Sequence, residues 1–270
     1  MGQSLRERYG PWALVAGGSE GIGFEFARLL AAEDINLLLV ARREQPLSKA
    51  RERIQQDFPV DVRCHSLDLS ARELERELDK LIADIEVGLL VYNAGATHGA
   101  GLFLDEPLEK SRRLVSLNCD APVVLCHSLG RAMRSRGRGG ILLMSSMSGL
   151  TGGAYIATYT ATKSFDIVFA ESLWAELKPY GVDVLGLIAG ATDTPAMRES
   201  GVALGDSAMS PAAVAAEGLA ALAEGPLHVA GDSNREFAAM LRSEDRRNTI
   251  DLMSQGAASM YGRPYPLKPL

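Results

Sequence analysis

Cysteine is scarce. Cys64, Cys119 and Cys126 are the only three in 270 residues. An odd count without a Cys-x-x-Cys pair gives neither a closed disulfide framework nor a zinc or redox motif, and small apolar residues in a reducing compartment account for all three. Histidine is equally thin. His65, His98, His127 and His228 lack metal-ligand spacing, so no metal is expected. His98 falls in a loop near the expected active site and is read as a bystander. A basic excess is missing too: the formal net charge is -6, which leaves no overall footprint for nucleic acid. The one local exception, Arg131, Arg134, Arg136 and Arg138, falls at the end of an expected helix, where cations complement the carbonyl end of the dipole. No apolar run approaches the ~18 residues that span a bilayer. Met1 to Gly10 is too polar and mixed in charge for a secretory signal. Repeats, linkers and low-complexity segments are also absent. These absences point to one cytoplasmic domain, residues 1–270, with a small-molecule partner and no nucleic acid or membrane.

What remains is an alternation. Strand-like apolar runs at Trp12–Ala16, Ile35–Val40, Val60–Ser66, Val87–Tyr92, Gly140–Met144, Val182–Ile188 and Leu227–Ala230 are separated by helical patterns. Those helices are expected at Phe24–Glu33, Leu47–Asp57, Arg72–Asp84, Pro107–Arg136 with an interruption near Ser116–Pro122, Thr158–Leu177, and from Ser210-Pro211 to about Ala223. The strands are continuous apolar runs, the mark of a sheet covered on both faces. Their alternation with helices predicts right-handed βαβ units. The expected fold is α/β: a single Rossmann-like, doubly wound parallel sheet flanked by helices on both faces. A proline-rich irregular tail is expected at 262–270.

The first strand leads into Gly17-Gly18-Ser19-Glu20-Gly21-Ile22-Gly23, which opens the first helix. Glycines there allow a tight turn and close approach to a pyrophosphate, and the helix terminus offers N–H groups and positive dipole. The second strand ends in Ala41-Arg42-Arg43. An NAD site wants a carboxylate near this point, whereas a guanidinium suits a 2′-phosphate. NADP(H) is therefore favoured and NAD(H) remains possible. Against that reading, the arginines could simply start a solvated helix, and Glu20 could sit near the same phosphate. Asp68, before Leu69 and Ser70, could also cap the following helix.

Downstream, Tyr159 and Lys163 are spaced i,i+4 and share one helix face. An ammonium so placed favours the phenolate form of a tyrosine and makes it a usable acid or base. Tyr155 is an internal control, since four residues on lies Tyr159 and no lysine. Ser146 lies thirteen residues before Tyr159 and could stabilise charge on a substrate oxygen. Ser145 and Ser148 are read as backbone-bonding residues. Asn118 admits either a functional role or a helix interruption ahead of Pro122.

Together these elements resemble the short-chain dehydrogenase/reductase family. The resemblance rests on the Gly-x-x-x-Gly-x-Gly spacing, Tyr92-Asn93-Ala94-Gly95, Asn118, Ser146, Tyr159-x-x-x-Lys163 and the run Gly190, Thr192, Thr194. It extends from about Tyr9 to Pro195 and is diffuse beyond. Several positions depart from the family pattern: Ala16 stands for the usual Thr, Tyr92 for the first Asn, Ala189 for Pro and Thr192 for Val. The resemblance implies Asn118, Ser146, Tyr159 and Lys163 as catalytic residues. For the cofactor it implies Gly17, Ser19, Glu20, Gly21, Ile22, Gly23, Arg42, Arg43, Asp68, Leu69, Asn93, Ala94, Gly95, Tyr159, Lys163, Gly190, Thr192 and Thr194. Asp68 would contact the adenine, and Thr194 would lie near the nicotinamide amide or the pyrophosphate. The implied activity is NADP(H)-dependent interconversion of a carbonyl and a secondary alcohol. The alternatives are an NAD-linked alcohol dehydrogenase of the same fold or a non-catalytic cofactor-binding sensor or scaffold.

Substrate walls are expected at Ala96–Leu104, Leu150–Tyr155 and Pro195–Met209, within a substrate-loop region of about 191–212. Ala196, Met197, Val202, Leu204 and Met209 give the last wall an apolar cast, with Arg198, Glu199 and Asp206 interspersed, so a lipophilic substrate is expected. A homodimer or homotetramer is expected through the helices at Pro107–Arg136 and Thr158–Leu177. The second of these carries Phe165, Val168, Phe169 and Trp174.

Overall fold

The computed structural model describes residues 3–95, 99–200, 202, 204–205 and 208–267. Ala96, His98, Asp206 and the last three residues of the expected tail lie outside the described residues. The apolar runs form β1 (Trp12–Ala16), β2 (Asn36–Ala41), β3 (Val62–Ser66), β4 (Val87–Tyr92), β5 (Gly139–Ser146), β6 (Val182–Ala189) and β7 (Leu227–Val229). They make one sheet in the order β3-β2-β1-β4-β5-β6-β7, and every pairing is parallel.

Because strand side chains alternate faces, each run feeds two cores. Ala13, Val15, Leu37, Leu39, Leu89 and Val91 pack with α2 (Gly21–Ala32), α3 (Glu44–Asp57) and α9 (Pro211–Ala221). Leu14, Leu38, Val40, Leu90, Ile141 and Leu143 pack with α4 (Leu74–Ile82), α6 (Ala121–Arg136) and α7 (Ala157–Leu177). This is the doubly wound architecture expected from the sequence. The strand order reverses between β1 and β4, and the crevice at their carboxyl ends is where such sheets hold ligands.

Three local features differ from the sequence expectation. The polar amino terminus forms a short helix, α1 (Leu5–Tyr9), fixed by a capping box between Ser4 and Glu7. Its last residue, Tyr9, is buried and donates to Asp183 Oδ2 at 2.8 Å. Burial and that carboxylate push its phenol well above the ordinary range. A second difference concerns the expected interruption at Ser116–Pro122. The chain stays helical from α5 (Leu108–Val115) through a π turn at Ser116–Asp120 into α6, and the wide turn absorbs the change of register. Beyond β7, where no element was expected, the chain forms α10 (Asp232–Ser243) and α11 (Arg246–Met260). Asp245 accepts from Arg247 N and so caps α11.

The arginine cluster at the end of α6 is held locally. Arg136 and Arg138 pair with Glu86, Arg136 also donates to Val87 O, and Arg134 lies over the Tyr180 ring. No helix among the described residues is long and apolar enough to cross a membrane.

Candidate active site

The cofactor end begins with backbone. Gly17 has φ +79°, and a Cβ there would lie 2.8 Å from Ala94 N. A Cβ on Gly23 would fall 2.1 Å from Gly17 O, so only glycine lets the first turn of α2 fold against the preceding turn. Asn93 locks this arrangement by donating from Nδ2 to Gly17 O at 3.1 Å. Ser19 lies in the turn between β1 and α2, and Gly95 lies exposed beyond β4. Thr194 caps α8 (Pro195–Glu199), accepting from Met197 N at 3.2 Å. That cap brings the Thr194 side chain over the amino terminus of α2, 3.2 Å from an ideal Cβ on Gly21. Glu20, Gly21, Ile22, Asn93, Thr194 and Pro195 thus surround one cleft. Thr192 is buried, and its hydroxyl donates to Gly190 O at 3.1 Å. A bound dinucleotide fits this cleft because the glycines let the turn fold tightly beneath the amino terminus of α2, and that terminus, facing the cleft, has no side-chain cap.

The two arginines after β2 behave differently. Arg43 pairs with Glu20 across the cleft mouth. Arg42 makes no ion pair among the described residues. Its charge helps hold the Asp68 carboxyl below the usual carboxylate range, though the hydrogen bond from the Ser70 hydroxyl is the larger cause and Arg113 contributes as well. Asp68 Oδ1 accepts from Ser70 N at 3.0 Å and from Ser70 Oγ at 2.6 Å. It does not cap the following helix. A turn intervenes, and α4 begins only at Leu74 behind Glu73, while the Asp68 side chain closes on Ser70 through Oδ1 and pairs with Arg113 through Oδ2 at 3.3 Å. Leu69 is buried beneath that turn.

At the chemical end, β5 delivers Ser146 at its carboxyl edge, half-buried, with its Oγ accepting from Ser148 N at 3.2 Å. The first turns of α7 are stitched to this edge. Ser145 Oγ donates to Lys163 O at 2.7 Å, Ser164 Oγ donates to Gly149 O, and Lys163 Nζ donates to Met144 O at 2.7 Å. These bonds hold the Lys163 side of α7 against the last residues of β5, and Tyr159 lies one turn before Lys163 on the same helix face. Asn118, buried in the π turn, donates from Nδ2 to Thr162 Oγ1 at 3.0 Å, and Thr162 Oγ1 donates to Tyr159 O at 2.9 Å. Asn118 Oδ1 and Lys163 Nζ each lie 3.6 Å from an ideal Cβ on Gly95, so the two converge beside that glycine. Tyr92, in the family's first-Asn position, is buried and donates to Leu117 O at 2.5 Å, which supports the turn that carries Asn118.

Two groups here escaped the sequence reading. Asp166, one turn beyond Lys163, accepts from its ammonium at 2.9 Å. The i,i+3 spacing of lysine and acid was legible as a pair, but nothing marked it as buried. The second group is the wall behind the 150–155 loop. Thr151 meets Thr249, Ala154 N donates to Ser254 Oγ at 2.9 Å, and Arg246 donates to Leu150 O, so α11 backs the whole segment. Tyr155 sits at φ +67°, a conformation rare for a side-chain-bearing residue. Its carbonyl accepts from Gly101 N at 3.0 Å and its hydroxyl donates to Pro264 O at 2.5 Å. Asn234 of α10 fills the space above Gly190, where a Cβ would lie 2.3 Å from its Oδ1.

Comparison with known proteins agrees with this geometry. The family described as short chain dehydrogenase matches over residues 11–203. A very-long-chain 3-oxoacyl-CoA reductase of Laccaria bicolor is 34% identical over 189 residues, covering 68% of this chain and 56% of the fungal protein. The chain thus spans little more than half the length of that relative. A 7beta-hydroxysteroid dehydrogenase of Mediterraneibacter gnavus is 26% identical over 238 residues, covering 86% of this chain and 90% of that protein. Among solved structures, a 7beta-hydroxysteroid dehydrogenase superimposes with TM-score 0.87 at 25% identity, covering 93% of this chain and 99% of that one. A short-chain dehydrogenase from Sphingobium yanoikuyae in complex with NADPH gives TM-score 0.75 at 25% identity, covering 87% of this chain and 97% of that one. The chain belongs to the short-chain dehydrogenase/reductase family.

Proposed function

We propose that the protein is an NADP(H)-dependent oxidoreductase that interconverts a carbonyl and a secondary alcohol on a lipophilic small molecule. The observation that carries this reading is the stitching of α7 to the end of β5, which holds Lys163 against Met144 and next to Gly95 and so supports Lys163, Tyr159 and Ser146 acting together. A nicotinamide cofactor, when bound, supplies or takes the hydride at the substrate carbon. The chain's own residues handle the oxygen. Ser146 Oγ hydrogen-bonds the substrate oxygen and stabilises its charge. The Tyr159 hydroxyl gives that oxygen a proton in reduction and takes it back in oxidation. Lys163 supplies the positive charge behind the tyrosine, and Asn118 fixes the helix through Thr162. The residues that would hold the dinucleotide are Gly17, Ser19, Gly21, Ile22 and Gly23 at the turn, Asp68 and Leu69 beside the adenine, Asn93 to Gly95, and the Gly190–Thr194 loop.

Arg42, exposed and unpaired among the described residues at the end of β2, supports a preference for NADP(H), which the Sphingobium relative binds. One observation favours NAD(H) instead: Glu20 already occupies Arg43. The apolar loop residues Met197, Val202, Leu204 and Met209 support a lipophilic substrate, as do relatives named for long-chain acyl and steroid carbonyls. Val115 and Val168 are 45% and 60% exposed on α5 and α7, which supports self-association of those helices in a cytoplasmic homodimer or homotetramer. Phe169 and Trp174, by contrast, pack inward against the core.

The deciding experiment is a carbonyl and alcohol panel followed at nicotinamide absorbance with both cofactors, on wild type and Tyr159→Phe. Turnover in the wild type and a loss of about 10²- to 10⁴-fold in the variant, with cofactor affinity kept, is the expected result. Cofactor binding without turnover across the panel would establish the sensor reading in its place.

A further inference from the structure

Asp166 is the one acid among the described residues that is almost wholly buried, at 2% exposure, and it has no part in the proposed chemistry. It lies one turn beyond Lys163 on the same face of α7. Its Oδ2 accepts from Lys163 Nζ at 2.9 Å, with the two side chains 3% and 8% exposed. An ammonium has three N–H donors. Lys163 directs one to Met144 O and one to Asp166, which leaves a single N–H for the side where Gly95 and Asn118 converge.

We propose that Asp166 is a positioning residue: as the buried counter-ion of Lys163 it keeps that ammonium protonated and turned inward against β5, so that its charge and its remaining N–H face the reacting side at a fixed place. The inference rests on the proposed function for its consequence in catalysis, but the pairing itself does not. The surroundings point the same way. On α7 the group facing the pair is Tyr159; β4 contributes Tyr92, the π turn Cys119 with Asp120 beside it, and α6 Cys126. Burial, the largest cause in each, pushes the Tyr92 phenol and the Cys126 thiol well up and the Cys119 thiol up to about 11, so all three stay neutral. Lys163 is the cation that faces Asp166. Burial alone would push the Lys163 ammonium toward losing its proton, but the charge and hydrogen bond of Asp166 outweigh that and leave it raised. An ordinary core would place an apolar residue at this position, and a buried acid without a cation would be costly.

The test reads the lysine directly. Lysine side-chain carbon resonances are titrated by nuclear magnetic resonance, with Lys163 assigned by its absence in Lys163→Met. The expected result is that Lys163 titrates above an ordinary lysine in the wild type and at least about one pH unit lower in Asp166→Asn, with Asp166→Glu recovering part of the shift. The alkaline limb of kcat/KM for carbonyl reduction should move down with it. An unchanged lysine titration in Asp166→Asn overturns the proposal, whether or not the enzyme turns over. A shifted titration in a protein with no turnover on any carbonyl upholds the pairing and overturns the functional reading instead. If Asp166→Asn does not fold, the double variant Lys163→Met/Asp166→Asn decides the matter. Recovery of a cooperative melt supports the pair, and failure of both shows that the carboxylate serves the fold and not the ammonium.

Discussion

On the proposed nucleotide side the walls are backbone packed on backbone, and on the proposed substrate side they are segments gathered from distant parts of the chain. Gly17, Gly23 and Ala94 approach one another so closely that no side chain fits between them. Across the cleft, Tyr155 is tied to Gly101 in one direction and to Pro264 in the other, and α11 packs behind the loop that carries it. A backbone wall tolerates almost no substitution, and its shape does not depend on which residues surround it. A side-chain wall can be changed piece by piece. The first suits a ligand shared by many enzymes, and the second suits a ligand peculiar to one.

If that division holds, the largest effect should come from Gly23→Ala. The added Cβ meets Gly17 O, and cofactor affinity by fluorescence titration should fall about 100-fold, worth ~3 kcal/mol. An affinity within a factor of three of wild type would mean that the turn is not the cofactor wall. Arg42→Asp comes next. Loss of a charge-assisted bond to a 2′-phosphate should move the NADP/NAD ratio of kcat/KM by about ten- to a hundredfold toward NAD. An unmoved ratio would take Arg42 out of cofactor choice. Smaller still is Tyr155→Phe, which removes the bond to Pro264 O, worth ~1 kcal/mol. KM for the carbonyl substrate should rise about fivefold while cofactor affinity stays put, and a matched change in both constants would erase the boundary between the two walls.

The smallest effect lies at the far edge of the substrate side, where Glu217 accepts from His228, Arg235 and Gly231 N. Burial pushes its carboxyl up, but those hydrogen bonds outweigh burial and hold it below the ordinary range. A depressed acid adds stability above the ordinary carboxylate pKa of ~4.3 and loses it as pH falls toward the folded value. Melting curves of wild type and Glu217→Gln should therefore converge between about pH 5 and pH 3, with a gap of no more than ~2 °C at neutral pH. A gap that widens in acid would contradict the assignment.

The same division explains what the sequence reveals. The strands were readable because a sheet covered on both faces demands continuous apolar runs, and the glycine turn because only glycine satisfies its backbone. Helix periodicity alone could place Tyr159 and Lys163 on one face, whereas Ser146 was joined to them only through the spacing of the family that the sequence resembles. α10 and α11 could not, because their apolar faces are narrow. Ala238 and Leu241 are the only core residues of α10, and α11 offers Ala257 and Ala258 with polar Thr249 and Ser254 between. The burial of Asp166 was hidden for a related reason: an acid three residues after a lysine on a helix reads as an exposed pair until the neighbours from β4, the π turn and α6 are in place. Ser4-x-x-Glu7, by contrast, was a legible cap for α1 that the polar character of the amino terminus masked.

Tyr9 and Tyr155 also divide the molecule into two poles. Tyr9 lies under the starts of the strands, where its ring and backbone fill the space over Gly140 and Gly88. Tyr155 holds Pro264 at the opposite pole, beyond the carboxyl end of β5. A change at Tyr9 is therefore felt beneath the sheet, away from the proposed chemistry, whereas a change at Pro264 reaches Tyr155 and with it the proposed entrance.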